Sequence, residues 1–350
     1  MLQSPLKFRR DLLSWYATHR RNLPWRVASA DTTRPDPYHV LLSEFMLQQT
    51  QVATVIPYFE RFLTAFPTIR DLAAAEEERV LRLWQGLGYY SRARNLRKAA
   101  RVVVETFGGH VPSTVDELLT LPGVGRYTAG AIASIAHGTR APIVDGNVIR
   151  VVCRLDAIET DPRTPATLAT IWARAEELVP KANAGDFNSA LMELGATVCV
   201  PRNPQCLICP VARSCEAREK GIQDRIPPPK KGKATPLERR VIYCVSRRRA
   251  QTTEYAFEQR PATGRWAGMW QFITRPADAP LEGVDASRAT SLGRIEHALT
   301  HRRYEFDVLH VEHAVKLPAT VRWLTLEESN TLPLPKPHVR ARTMLTDAAP

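Results

Sequence analysis

The chain has 350 residues, is 44% hydrophobic and carries a formal net charge of +12 at pH 7, so it exceeds one ordinary core and implies two or three domains. The positive balance fits a polyanionic partner or a solubilising surface, and charge alone does not separate the two. No run approaches the length of a transmembrane helix, and the N-terminus lacks a signal-peptide pattern, so a soluble, intracellular chain is expected, cytoplasmic and nucleoid-associated if bacterial.

Leu6, Phe8, Leu12, Leu13, Trp15 and Tyr16 recur at helical spacing, and residues 6–21 read as an opening amphipathic helix. Leu23-Pro24-Trp25-Arg26 ends it, with a tryptophan that serves a core as readily as a contact. Val27 to Pro37 is polar and reads as a loop. The next segment, Val40 to Thr50, sets Glu44 among Val40, Leu41 and Leu47 at helix-neighbour spacing. Two readings stand there. The carboxylate either leans out from a helix edge, or is desolvated until its raised pKa makes it a proton donor near neutral pH. Gln48 and Gln49 follow as a polar helix end.

Helical patterns continue through Val52–Phe66 and Ile69–Trp84. Gln85 to Asn95 joins two helices through a glycine loop that carries Leu87 and Tyr89, with Arg92, Arg94, Arg97 and Arg101 directly behind. An apolar and an aromatic residue backed by arginines suit a wedge that props open a kinked duplex. Thr114 and Glu117 then make a capping box for a short helix. Pro122-Gly123-Val124-Gly125 breaks it, a second helix starts near Arg126, and Gly138 stops that one. The glycines let another backbone approach, and amides at the new N-terminus favour a phosphate, although plain packing would use the same turn. Asp145 stands on a Gly-bounded turn before the next helix. It is an ordinary N-cap by position, and a capped carboxylate receives hydrogen bonds that keep it ionised.

Helices follow at Val148–Ile158, Ala166–Val179 and Asp186–Gly195. Cys199, Cys206, Cys209 and Cys215 are then spaced x6, x2, x5, which argues for metal over disulfides. Thiols alone fit zinc and a [4Fe–4S] cluster equally. Cys153 and Cys244 are isolated and read as packing residues. Ile226 to Pro236 is a stiff basic linker. Beyond it Val241–Val245 is β-rich, and Tyr304, Phe306 and Val308 alternate with Glu305 and Asp307, so a separate α/β unit follows.

The string LPGVGRYTAGAIASIA at 121–136, with VDGNV at 144–148, resembles the helix-hairpin-helix and catalytic aspartate of the endonuclease III superfamily of DNA glycosylases. SEFMLQQT at 43–50 and GLGYYSRARNL at 86–96 resemble the adenine-specific mismatch glycosylases within it. The resemblance implies a mainly α fold, a helix-hairpin-helix glycosylase core with an iron–sulfur module, plus a C-terminal α/β Nudix-like domain. It implies a catalytic region at 1–225, with a six-helix module at about 30–140 and a cluster module from 1–29 and 141–225, then a linker at 226–237 and an 8-oxoguanine reader at 238–350.

By that resemblance Glu44 is the general acid, Asp145 the anion that stabilises or traps the sugar, and Tyr127 and Asn147 position them. The x6-x2-x5 spacing is similar to that of the superfamily's cluster loop, so the resemblance implies a [4Fe–4S] cluster on Cys199, Cys206, Cys209 and Cys215. DNA contacts are implied for Arg26, Gln48, Gln49, Leu87, Tyr89, Arg92, Gly123 and Gly125. GRWAGMWQF at 264–272 resembles a motif of the Nudix-like domain, but the acidic Nudix box is missing, which argues against phosphohydrolase activity. HALTH at 297–301 aligns with the family's His-x-Phe-Ser-His loop that reads 8-oxoguanine. Leu299 replaces the aromatic and Thr300 the serine, while His301 is kept.

The expected protein is therefore a monomeric, monofunctional base-excision enzyme that removes adenine mispaired with 8-oxoguanine or guanine in double-stranded DNA, with no membrane partner. Two alternatives differ in class. A bifunctional oxidised-pyrimidine glycosylase and abasic lyase needs a lysine nucleophile, where this chain has Tyr127. A non-catalytic iron–sulfur redox sensor on DNA needs none of Glu44, Tyr127, Asp145 and Asn147.

Overall fold

The computed structural model describes residues 5–26, 34–229, 234–285, 288–299, 301–312 and 316–348. Most of the polar loop expected at Val27–Pro37, and Thr300, lie outside these residues. The chain divides into two compact units, Met1–Ala74 with Asn95–Lys231, and Ala75–Arg94 with Gly232–Pro350. No described helix is long and apolar enough to cross a membrane.

The first unit is helical. It opens with α1 (Pro5–His19), α2 (Pro37–Leu47), α3 (Val52–Ala65) and α4 (Ile69–Ala74). Helix α2 starts where Pro37 presets the first turn and the Asp36 Oδ1 accepts from the Tyr38 amide at 2.7 Å. It is buried nearly all round, from Tyr38 to Met46, as befits a central helix. The helical pattern expected through Ile69–Trp84 is interrupted: α5 (Glu77–Trp84) is separate, because Glu76 is extended and starts a new helix. α5 belongs to the second unit, and α6 (Ser91–Thr106) begins there and runs into the first.

The hairpin is α7 (Val115–Leu119) and α8 (Arg126–Ile135). Thr114 Oγ1 accepts from the Glu117 amide at 3.3 Å and donates to the Glu117 Oε2 at 2.7 Å, which starts α7. Gly123 has φ +81, and a Cβ there would lie 2.7 Å from the Asn95 Cβ, so only glycine fits. Past α8 come α9 (Gly146–Leu155), α10 (Pro165–Leu178), α11 (Ala184–Thr197) and the short α12 (Glu216–Glu219). Phe8, Leu12 and Tyr16 of α1 share one core with Val148 and Val152 of α9 and with Phe187 and Leu191 of α11. The chain's first helix thus folds onto helices that begin well over a hundred residues later, each fully buried Phe or Leu contributing roughly 1.5–3 kcal/mol.

In the second unit β1 (Leu237–Arg249), β2 (Thr252–Gln259), β3 (Trp270–Pro276), β4 (Thr290–Leu299), β5 (Arg302–Val311) and β6 (Arg322–Leu324) form a sheet in the order β4-β5-β1-β3-β2-β6. β1 and β5 are parallel, and the other described pairs are antiparallel. Alternation decides the faces: Ile242 and Cys244 join Phe306 and Leu345 under α13 (Lys336–Asp347), while Tyr243 and Val245 face a second core with Ile273. Tyr304, Phe306 and Val308 point inward as their alternation requires. Residues 75–94, assigned by sequence to the helical region, group with this sheet unit, where Arg94 Nη1 donates to the Ala267 carbonyl at 2.6 Å and Arg322 faces Glu78.

Candidate active site

A cavity of about 930 Å³ in the helical unit gathers side chains from distant parts of the sequence. α2 supplies Glu44, α8 Tyr127, the α9 cap Asp145, and α11 Met192 and Glu193. Glu44 is only 4% exposed, and its Oε2 has no hydrogen-bond partner. Burial pushes its carboxyl up to about 7; Asp145 adds to the rise, while a Tyr127 hydrogen bond and Arg26 oppose it. Of the two readings open for Glu44, the buried one is the geometry found. Tyr127 lies beside it, its phenol pushed well above 10 by burial, then by Glu44 and Asp145, so it stays protonated.

Asp145 caps α9. Its Oδ1 accepts from the Val148 amide at 2.7 Å and its Oδ2 from the Asn147 Nδ2 at 3.0 Å. Those bonds pull its pKa down as the cap position led one to expect, but burial outweighs them and the carboxyl sits above its ordinary value. Asn147 is fixed in turn. Arg150 Nη2 donates to the Asn147 Oδ1 at 2.8 Å and to the Gly195 carbonyl at 2.7 Å, and a Cβ on Gly195 would lie 2.6 Å from the Asn147 Cβ.

Sequence reasoning missed Glu193, Met192 and Arg150. Glu193 is wholly buried and pairs with Arg21 Nε at 2.6 Å and Arg26 Nη2 at 2.9 Å. Burial alone would raise its carboxyl, but the two arginines together outweigh it and hold the carboxyl below its ordinary value. The signal was available: a lone carboxylate within the apolar Ala190–Leu194 stretch is the same anomaly that marked Glu44. Arg26, expected as a DNA contact, is spent on Glu193 and lines the cavity instead. Trp25 is core, packed edge-on to Phe59.

The expected DNA contacts divide. Gln48 and Gln49 both line the cavity mouth, Gln49 exposed with φ +56. Gly123 and Gly125 are exposed on the hairpin, and a Cβ at Gly125 would meet nothing within 4 Å. In the loop of the second unit Tyr89 is 42% exposed and Leu87 only 5%. Arg92 is also turned inward. It is 6% exposed and donates inward to the Leu87 and Gly88 carbonyls at 3.3 and 3.1 Å, bracing the loop instead of facing solvent. His301 is exposed beyond the Leu299–Arg302 pair that ends β4 and β5, and Leu299 packs against the sheet core.

Cys199, Cys206, Cys209 and Cys215 are all half-buried, and each lies within electrostatic range of others in the set. Among the described residues no group of three or more His, Cys, Asp or Glu side chains is arranged to hold a metal ion. The donor set is nevertheless all sulfur, which suits a soft metal or an iron–sulfur cluster. Buried Arg154 donates to the Cys199 Sγ at 3.2 Å and to the Val200 carbonyl at 2.8 Å, and so sets a positive charge where an anionic, thiolate-held group would need one.

Residues 42–177 match the family described as HhH-GPD superfamily base excision DNA repair protein, and residues 243–343 match the NUDIX domain. Among solved structures, a thermostable thymine-DNA glycosylase is similar at 32% identity and a TM-score of 0.55, covering 62% of this chain and 97% of that one. A non-covalent endonuclease III–DNA complex is similar at 25% identity and a TM-score of 0.52, covering 64% and 100%. A glycine hairpin, a buried acid and a capped aspartate on this helical frame define a base-excision repair protein of the helix-hairpin-helix class. The adenine DNA glycosylase of Homo sapiens is 39% identical over 388 residues, covering 93% of this chain and 71% of that one, and that of Rattus norvegicus 40% over 383 residues, covering 92% and 74%. The chain belongs to the adenine DNA glycosylase family.

Proposed function

We propose that this chain removes adenine mispaired with 8-oxoguanine or guanine from duplex DNA, hydrolysing the N-glycosidic bond without cutting the strand. The observation that carries the reading is the pairing in one cavity of Glu44, buried with a free Oε2, and Asp145, hydrogen-bonded through both oxygens. Flipping the adenine into such a cavity costs a few kcal/mol, which contacts to the backbone offset. Neutral Glu44 then protonates the base at N7, making it a better leaving group. The bond breaks toward an oxocarbenium-like sugar, which ionised Asp145 stabilises or briefly traps, the division of labour found in paired-carboxylate glycosidases. Tyr127 and Asn147 hold the two carboxyls in place.

Among the described residues no lysine lines the cavity, and Tyr127 occupies the hairpin position that a Schiff-base mechanism would give to lysine. That supports a monofunctional enzyme, and we take it to act on DNA as a monomer. Cys199, Cys206, Cys209 and Cys215 would hold a [4Fe–4S] cluster, whose iron–thiolate bonds would cross-link the loop they span. Metal analysis should return about four irons per chain; stoichiometric zinc would refute that assignment. His301 and Thr300 would read the base opposite the adenine. Single-turnover assays on A:8-oxoguanine, A:G and thymine-glycol duplexes, with borohydride trapping, test the reading. Release of adenine without covalent capture is expected. Preference for thymine glycol, or efficient capture, would overturn it.

A further inference from the structure

Tyr127 has one hydroxyl proton and two acceptors within reach. The hydroxyl donates to the Met192 Sδ at 3.3 Å, and Glu44 lines the same cavity, where the phenol acts on its carboxyl and opposes the rise that burial causes. A phenol gives its proton to one acceptor at a time. Which one it chooses is tied to the charge on Glu44. An ionised Glu44 is the stronger acceptor and draws the proton to itself. A neutral Glu44 carries its own O–H, which can donate to the Tyr127 oxygen only if the phenol proton has somewhere else to go.

We infer that Met192 is a positioning residue for the acid: by accepting from Tyr127 it frees the phenol oxygen to accept from Glu44, and so favours the protonated carboxyl. The inference rests on the reading of Glu44 as proton donor. A thioether is a weak acceptor, so it does not compete with a carboxylate, but it completes the chain Glu44 O–H to Tyr127 O–H to Met192 sulfur once Glu44 is neutral. The other groups around Glu44 do not fix this choice. The α9 cap brings Asp145, which disfavours a second negative charge, and the turn at Pro24–Arg26 brings Arg26, already paired with Glu193. From α3, Val55, Phe59 and Phe62 face inward, and no α3 charge acts on Glu44.

Leucine at position 192 fills similar space without an acceptor. With the sulfur gone, Tyr127 would give its proton to Glu44 in either state and stabilise the carboxylate. The test is the rate of single-turnover adenine excision by the full chain on an A:8-oxoguanine duplex from about pH 5 to about pH 9, where the alkaline limb reports loss of the acid's proton. Met192→Leu should move that limb to lower pH by roughly half a unit, the scale of one weak hydrogen bond. Met192→Gln returns a carbonyl acceptor and should restore the limb. In a Tyr127→Phe background, Met192→Leu should no longer move it.

A uniform loss of rate at every pH, with the limb unmoved, would mean that Met192 only packs and would overturn the inference. If the wild-type chain releases no adenine at any pH, the glycosylase reading itself falls, and the proton inference is then decided without substrate. The carboxylic-acid infrared band that disappears in Glu44→Gln is titrated in the unliganded protein. Its midpoint should be lower in Met192→Leu than in wild type, and equal midpoints would sink the role of the sulfur.

Discussion

Two carboxyls in one cavity are both raised by burial, and their partners separate their roles. Asp145 receives two hydrogen bonds of 2.7 and 3.0 Å, whereas Glu44 keeps an oxygen free. Asp145→Asn should therefore keep the fold and mismatch binding but lose adenine excision, since an amide supplies no anion; single-turnover rates and gel-shift affinities measure the two separately. Glu44 makes a prediction for stability as well. Its pKa is about 7 folded against 4.5 ordinarily, so the folded state holds its proton more tightly than the unfolded one. The neutral carboxyl costs nothing below the lower value, and stability is lost as pH rises from there through about 7. Glu44→Gln removes that penalty. Its gain over wild type should be absent near pH 4 and approach about 3 kcal/mol at pH 8, from the 2.5-unit difference at about 1.4 kcal/mol per unit. Denaturant unfolding at the two pH values checks it; equal gains at both would show that Glu44 is not titrating in the fold.

At the scale of elements, the two hairpin glycines are there for different reasons. Gly123 is left-handed and pressed against Asn95, while Gly125 caps α8 with open space where a side chain would go. Gly123→Ala should lose roughly 2–4 kcal/mol of stability from strain and overlap. Gly125→Ser should leave thermal stability nearly unchanged, because serine is itself a good cap. It should still weaken DNA binding by about tenfold if a phosphate must approach the α8 amides there. Unchanged affinity in Gly125→Ser would return the hairpin to plain packing. This element was legible because capping residues, turn glycines and apolar spacing act locally, as they do for Asp36 before α2 and Asp145 before α9. The loop at 86–90 was not. A glycine loop carrying Leu87 and Tyr89 looks the same whether the leucine turns out or in, and the direction depends on Arg92 reaching back to two loop carbonyls. Glu193 was hidden for a related reason: its partners Arg21 and Arg26 are more than 160 residues away in the chain.

The whole molecule's charge of +12 also overstates what its surface offers to DNA. Of the arginines in the segment after the loop, Arg92 turns inward, Arg94 binds the Ala267 carbonyl and Arg101 binds the Ala73 carbonyl. The same contacts bear on how opposite-base reading should be tested. Removing residues 237–350 would take away the reader, but it would also strip Arg94 and Glu78 of their partners Ala267 and Arg322 in the same compact unit. Truncation should therefore lower excision from A:G as well as from A:8-oxoguanine, because the segment carrying Tyr89 loses its support. His301→Ala touches none of those contacts, since His301 is exposed at the end of the β4–β5 pair. It should leave A:G excision near its wild-type rate and lower the preference for 8-oxoguanine by a factor of a few, the worth of about one hydrogen bond to a base edge. The measurement is the ratio of excision rates, and of dissociation constants, for the two duplexes at one fixed salt concentration, so that phosphate contacts cancel. If His301→Ala leaves both ratios at the wild-type value, opposite-base recognition lies elsewhere than this hairpin.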